Sequence, residues 1–274
     1  DRRMKRPHKP YVPVRGDART TWSAEVPEGP PDGTTPDLDG ARPLTSGIQG
    51  ARARPGVRVP QAAPPLPAGS PPLPGPPADG HAIDLDTATV RADELLAALA
   101  LGDDETVGHL QRTAATVEAV ARSLGWDETR VRWTAFGALL HDIGKIGVAP
   151  QVMRKPGPLS DSEQAAMRDH VVYGTHLVSA YGFPPLVARI VREHHERLDG
   201  SGYPMGLQSG DICEEARLVM LADIADAMLS RRAYKQALTL DDVRRALEAG
   251  AGDLFDADLV EPVVAELVKA EQAI

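Results

Sequence analysis

The sequence predicts an all-α protein: a compact helical bundle preceded by a segment that stays outside it. Three observations carry this. Beyond residue 90, apolar residues recur at helical spacing in run after run, which is the mark of amphipathic helices. No segment shows sustained strand alternation. Finally, 18 of the 25 prolines lie in the first 80 residues, where no long apolar-periodic run occurs.

Residues 1–85 read as a disordered, Pro/Gly/Arg-rich segment, because such a composition cannot bury enough apolar surface to offset its ordering entropy. Residues 86–274 then form one domain, long enough for a single core. The first 80 residues hold Lys+Arg 11 against Asp+Glu 8, leaving 19 against 31, a net of −12, for the remainder. That balance argues against binding a nucleic-acid polymer, whose backbone needs a basic surface. It leaves room for a small phosphate ligand held by metals and a few local cations.

The single cysteine, Cys213, excludes an intramolecular disulfide and a Cys-rich zinc site. No run approaches the roughly 18 apolar residues of a membrane span. The N-terminal DRRMKRPHK lacks the apolar stretch that follows the basic region of a secretory signal. A cytoplasmic location is expected. The chain opens on Asp1 rather than Met, as a fragment of a longer product would.

The helices follow in order. RADELLAALALG, from Arg91, repeats apolar residues at helical spacing and stops at Gly102. Residues 105–124 carry Val107, Leu110, Ala114, Val117, Ala121 and Leu124 on one stripe, with Asp103 or Asp104 to cap the start and Gly125 to end it. Residues 128–142 form a third helix running into His141-Asp142. After Pro150 and KPGPL, Ser160 and Glu163 make a capping-box pattern that opens a helix to about Tyr181. Pro184-Pro185 open the next, which reaches His194-His195. Helices from about Glu214 to Leu229, near 240–249 and over 257–272 complete the bundle.

Chemistry concentrates in two patches, HDIGKIG (His141 to Gly147) and HHERLDGSGYP (His194 to Pro204). Neutral imidazole is a strong ligand for divalent transition metals, and nearby carboxylates such as Glu196 and Asp199 can ligate or orient it. The apolar AFGALL before His141 buries that helix, so His141 and Asp142 enter the interior and must be paired or ligated. The competing reading is a helix end with ordinary polar residues. Lys145 offers a cation to phosphate oxygens.

Glu105 and His109, four apart, share a helix face, although that pairing is common on solvated faces. His170 and His176, six apart, point to roughly opposite sides, so at most one faces a site, and His176 reads as structural. Asp223 and Asp226 lie in the apolar LVMLADIADAML; for Asp223 the plain alternative is a buried ion pair with Arg217 or Arg189. Five histidines and several carboxylates without cysteine suit iron or manganese better than structural zinc. Two or three such ions can clamp a phosphate and acidify a water, so metal-assisted phosphoester hydrolysis is the expected reaction class.

Together HDIGK and HHERLDGSGYP resemble the HD-GYP family, a subgroup of the HD-domain phosphohydrolases. DDETVGH, KPGPLSDSE, RDHVVYG, ADIADAMLSRRAYK and FDADLVE support the likeness across residues 90–268. The resemblance implies an all-α cyclic di-GMP phosphodiesterase with two or three metals, yielding linear pGpG or GMP. Its ligands would fall on His109, His141, Asp142, His170, His194, His195 and Asp223, with Glu105 added in three-metal members. Asp142 would bridge metals, and Lys145 would face the substrate phosphate.

Gly202, Tyr203 and Pro204 would shape the substrate entrance, and Arg232 and Lys235 would contact phosphates. This chain departs from the family at Ala233 and Cys213, where proline is usual. Losing the proline at 213 is expected to loosen the loop. Other implied partners are a diguanylate cyclase, a receiver or sensor domain, and a second copy of the chain in a homodimer. Two alternatives are hydrolysis of another cyclic dinucleotide and a nucleotide-binding signalling module without turnover.

Overall fold

A computed structural model describes residues 83–230 and 238–272. The extension over residues 1–82, and with it most of the first expected segment, lies outside the described residues, as do Arg232, Ala233 and Lys235. Among the described residues there are ten α-helices, two 3₁₀ turns and no strand. The all-α expectation is met.

Helix α1 (Leu85–Ala100) begins six residues before Arg91, the expected start. Asp84 caps it, accepting from the Thr87 N–H at 2.8 Å, and Ala88 extends the buried stripe of Ala92, Leu95, Leu96 and Leu99 back by one turn. Alanine is too small to stand out as an apolar anchor, which hid this turn. Helix α2 (Asp104–Ser123) is capped by Asp103, and the chain leaves it through Gly125 at φ 76. Helix α3 (Glu128–Leu140) starts on an Asp127 cap and ends on His141.

A 3₁₀ turn (Ile143–Gly147) and the short α4 (Pro150–Met153) follow. The capping box of α5 (Asp161–Arg168) has both of its halves: Ser160 accepts from the Glu163 N–H, and Glu163 accepts from the Ser160 N–H. The single helix expected to run on to Tyr181 is two, broken at Asp169, with α6 spanning His170–Ala180. The start of α6 lies directly on the 3₁₀ turn, so close that a Cβ on Gly144 would sit 1.8 Å from the His170 carbonyl oxygen.

Helix α7 (Pro185–Glu193) starts on Pro184-Pro185 as read, and its last turn delivers His194 and His195. Then come α8 (Glu214–Leu229), α9 (Leu240–Gly250) and α10 (Ala257–Gln272). Two apolar clusters hold the bundle. One is built mainly from α2, α8, α9 and α10, the other from α1, α6, α7 and the end of α3. Leu140 and Ile143 flank His141-Asp142 in the second cluster, whereas Ala222, beside Asp223, belongs to the first. Polar residues therefore meet at the seam, away from water. No helix among the described residues is long and apolar enough to cross a membrane.

Candidate metal centre

Five chain segments bring imidazoles and carboxylates to this seam. His109 comes from α2, His141 and Asp142 from the end of α3, and His170 from the first position of α6. His194 and His195 come from the end of α7, and Asp223 from the middle of α8. His109, His141, Asp142, His170, His194 and Asp223 are all buried. The His194 ring centroid lies 4.8 Å from that of His141 and 4.0 Å from that of His195.

Three of the rings are fixed in the same way. The Nδ1 of His141, His170 and His194 lies 2.7, 2.6 and 2.9 Å from the carbonyl oxygens of Ala138, Met167 and Val191. Each carbonyl stands three residues earlier and can only accept, so Nδ1 carries the hydrogen and Nε2 keeps its lone pair. Those three Nε2 atoms, with Asp142 Oδ1, are buried without a hydrogen bond among the described residues. Burial without a partner is costly for polar atoms. A cation among them would remove that cost.

The geometry fits one. Asp142, His170, His194 and His195 each offer an atom within 4.8 Å of the others, and His109, His141 and Asp142 make a second such group. Asp142 is common to both. Its Oδ1 lies 3.0 Å from His170 Nε2, and the Lys145 ammonium bonds its Oδ2.

Electrostatics prepares the ligand forms. Burial pushes the His194 imidazole down to about 3, with neighbouring His141 and His170 adding to the effect. Burial likewise lowers His141 and His195, so these rings are neutral. For Asp142, burial works against the carboxylate, but Lys145, His141 and His170 outweigh it and hold its pKa well below the usual range. His109 differs. Burial opposes its charge, yet Asp223 and Asp226 together raise it to about 9. Those carboxylates hold a proton on His109 that a metal cation would displace.

The remaining sequence candidates are placed as follows. Glu105 stands one turn before His109 on α2, exposed and in neither ligand group. His176 is exposed on α6 while His170 is buried, so one of that pair faces the centre, as the spacing required. Asp223 pairs with neither alternative arginine: its Oδ1 lies 3.0 Å from His109 Nε2 and 3.8 Å from His141 Nε2. Arg217 binds Asp256 and Arg189 binds Glu193 instead.

The loop bearing Gly202, Tyr203 and Pro204 folds back on the histidine pair. The Tyr203 N–H donates to the His195 carbonyl at 3.1 Å, and the two rings lie 4.7 Å apart between centroids. A Cβ on Gly202 would stand 2.4 Å from the Arg197 nitrogen, so only glycine permits this return. The Arg168 guanidinium lies 4.9 Å from the Tyr203 ring centroid.

Three features were not legible in the sequence. Arg112 binds Asp226 bidentately, a pairing across more than a hundred residues. Glu196 does not turn toward the rings but accepts from the Met205 and Leu207 N–H groups at 2.6 and 2.8 Å, pinning the loop. Cys213, expected to loosen its loop, donates its backbone N–H to buried Glu193 at 2.9 Å, a bond that proline cannot make.

Comparison with known proteins agrees with this arrangement. The chain is 40% identical over 180 residues to the cyclic di-GMP phosphodiesterase response regulator RpfG of Xanthomonas campestris, covering 65% of this chain and 48% of that protein. It is 39% identical over 161 residues to a cyclic di-GMP phosphodiesterase of Thermotoga maritima, covering 58% and 44%. It is 36% identical to 3'3'-cGAMP-specific phosphodiesterase 2 of Vibrio cholerae, covering 57% and 30%. The chain thus spans about half the length of the first of these relatives, or less.

Among solved structures, Bd1817, a HDG"Y"P protein from Bdellovibrio bacteriovorus, shares the fold with a TM-score of 0.50 at 18% identity, covering 68% of this chain and 65% of that one. The family model described as the HD domain matches residues 95–259, which span all the buried ligand candidates. With its His141-Asp142 doublet at the middle of the assembled centre, the chain belongs to the HD-domain family.

Proposed function

We propose that this chain is a metal-dependent phosphodiesterase that hydrolyses cyclic di-GMP to linear pGpG, GMP or both. One observation carries the reading: four buried ligand atoms from three chain segments, on His141, Asp142, His170 and His194, face one another without a hydrogen bond among the described residues. The names of the relatives at 34–40% identity point the same way.

In this reading Asp142, His170, His194 and His195 would hold one ion and His109, His141 and Asp142 another, with Asp223 available beside His109. Bound divalent ions supply Lewis-acid charge and a water acidic enough to serve as nucleophile near neutral pH. The protein's own part is to position and to exclude water. The i−3 carbonyls lock three imidazoles with Nε2 inward. Lys145, beside Asp142, offsets charge that builds on the phosphate. Tyr203, ranged along His195, walls the entrance, and Arg232 and Lys235 contact the substrate phosphates.

A set of histidines and carboxylates with no cysteine suits iron or manganese. Glu105 is the added ligand if a third ion binds, reached by a change of rotamer on the exposed first turn of α2. Residues 1–85 act as a linker or tail to the 86–274 domain, in the cytoplasm, where a receiver, a sensor or a diguanylate cyclase would be its partner and a homodimer its assembly.

The test is turnover. Protein purified without oxygen and loaded with iron or manganese should convert cyclic di-GMP to linear product, and Asp142→Ala or His194→Ala should abolish this. Turnover that persists after the metal is stripped overturns the proposal. A second substrate has its own support, because several relatives at 30–36% identity are 3'3'-cGAMP-specific phosphodiesterases. Cyclic GMP-AMP therefore runs beside cyclic di-GMP in the same assay. Nucleotide binding with no product after long incubation would instead mark a signalling module without turnover.

A further inference from the structure

The buried imidazoles of His109, His141, His170 and His194 are not held alike at Nδ1. His141, His170 and His194 each use the backbone carbonyl three residues earlier, which for His170 is Met167 near the end of α5. Those partners are backbone, local and uncharged. His109 alone of the four uses a side chain from another helix: its Nδ1 lies 2.7 Å from Asp226 Oδ2. Asp226 is in turn gripped from outside the site. Arg112 Nε donates to Oδ1 at 2.7 Å, Arg112 Nη2 donates to Oδ2 at 2.9 Å, and the Ser230 hydroxyl donates to Oδ2 at 3.1 Å. The Arg112 Nη2 also reaches Ser230 Oγ at 3.0 Å.

We propose that Asp226 and Arg112 are a positioning pair that sets the metal affinity of the His109 end of the centre, independently of the end built from His170, His194 and His195. This rests on the metal-dependent reading above and goes beyond it. A carboxylate on the far nitrogen of a ligating histidine fixes ring orientation and raises ligand basicity more than a neutral carbonyl does. Arg112 tempers that carboxylate and fixes its plane through a two-pronged contact. The Arg112 side chain is 53% exposed whereas Asp226 is 12% exposed, so the pair runs from the surface to the ligand within one turn of α2. Among the described residues the Nδ1 of His170 and of His194 meets a backbone carbonyl, Met167 and Val191, and not a carboxylate. The two ends of the centre can therefore differ in affinity by design of their supports.

The experiment is metal titration of the full chain, read by calorimetry with Mn²⁺ and by elemental analysis after gel filtration, beside circular dichroism for fold. Asp226→Ala should weaken one class of ion by about 10–100-fold, the usual effect of losing such a support, and leave the other class at wild-type affinity. Arg112→Ala, whose side chain is half in solvent and whose loss leaves the core intact, should weaken the same class by less. Arg112→Lys, which keeps the charge but not the fork, should fall between the wild type and Arg112→Ala.

Unchanged affinity of both classes in Asp226→Ala and Arg112→Ala overturns the proposal. So does equal weakening of both classes in Arg112→Ala, because the ends would not be independent. The outcome is separable from that of the catalytic reading. Metal binding in two classes with no turnover of any cyclic dinucleotide defeats the phosphodiesterase alone. Turnover by a wild type whose Asp226→Ala variant keeps every ion at full affinity defeats the positioning pair alone.

Discussion

Gly144 is the point at which packing and chemistry meet, and Gly144→Ala measures how tightly they are joined. The added Cβ would lie 1.8 Å from the His170 carbonyl oxygen and 2.4 Å from the Gly174 nitrogen, where ordinary contact begins near 3.4 Å. Both opposing atoms are backbone, so no rotamer change relieves the overlap. The start of α6 must retreat by roughly 1.5 Å in an interior packed like a crystal. Overpacked cores lose about 1–3 kcal/mol when side chains can yield. Here they cannot, so a loss of about 3 kcal/mol or more is expected.

For a domain of this size each kcal/mol moves Tm by about 2–4 °C, which gives a fall of roughly 6–12 °C. The same retreat carries His170 away from Asp142, whose facing atoms are 3.0 Å apart. Ligand distances tolerate about 0.2 Å, so the ion at this end should be lost as well. Thermal melting and metal stoichiometry on one preparation read both effects. A variant with wild-type Tm and full metal content refutes the packing argument. A variant that melts early but keeps its ions refutes the link between this contact and the centre.

Three further outcomes are expected. Gly125→Ala places a Cβ in open space but at φ 76, so it should cost about 1–2 kcal/mol through backbone strain alone and leave metal content unchanged in the same two assays. Glu196→Gln sets an amide donor against one of the two N–H groups its carboxylate now accepts, costing about 1–3 kcal/mol; hydrogen exchange should quicken at Met205 and Leu207, and protected amides there would show that the loop is held by something else. Stripping the metal from protein held at 100 times its dissociation constant removes about 2.7 kcal/mol, hence several degrees of Tm, while far-UV circular dichroism at 25 °C stays helical because the two apolar clusters contain none of the ligands; collapse of the helical signal would mean that the ions, not the clusters, hold the bundle.

What the sequence determined is whatever depends on neighbours along the chain. The cap at Asp103, the box of Ser160 with Glu163, and the Pro184-Pro185 opening are contacts within about four residues, so local pattern predicts them and the structure has them. Six-residue spacing alone separated His170 from His176. An apolar approach alone implied that His141 and Asp142 would be buried. The chemical type of the centre was legible too, because imidazoles and carboxylates without thiols restrict the metals it can take.

Tertiary structure decided the rest. It interrupted one expected helix at Asp169 and set the start of α6 against Gly144, 25 residues before that interruption. It matched Asp226 to His109 and Arg112 rather than giving Asp223 an arginine, and it turned Glu196 toward the loop instead of the metal ligands. These are side-chain choices among several partners of equal local merit. Distance in the folded chain selects between them, and no periodicity along the sequence records that distance.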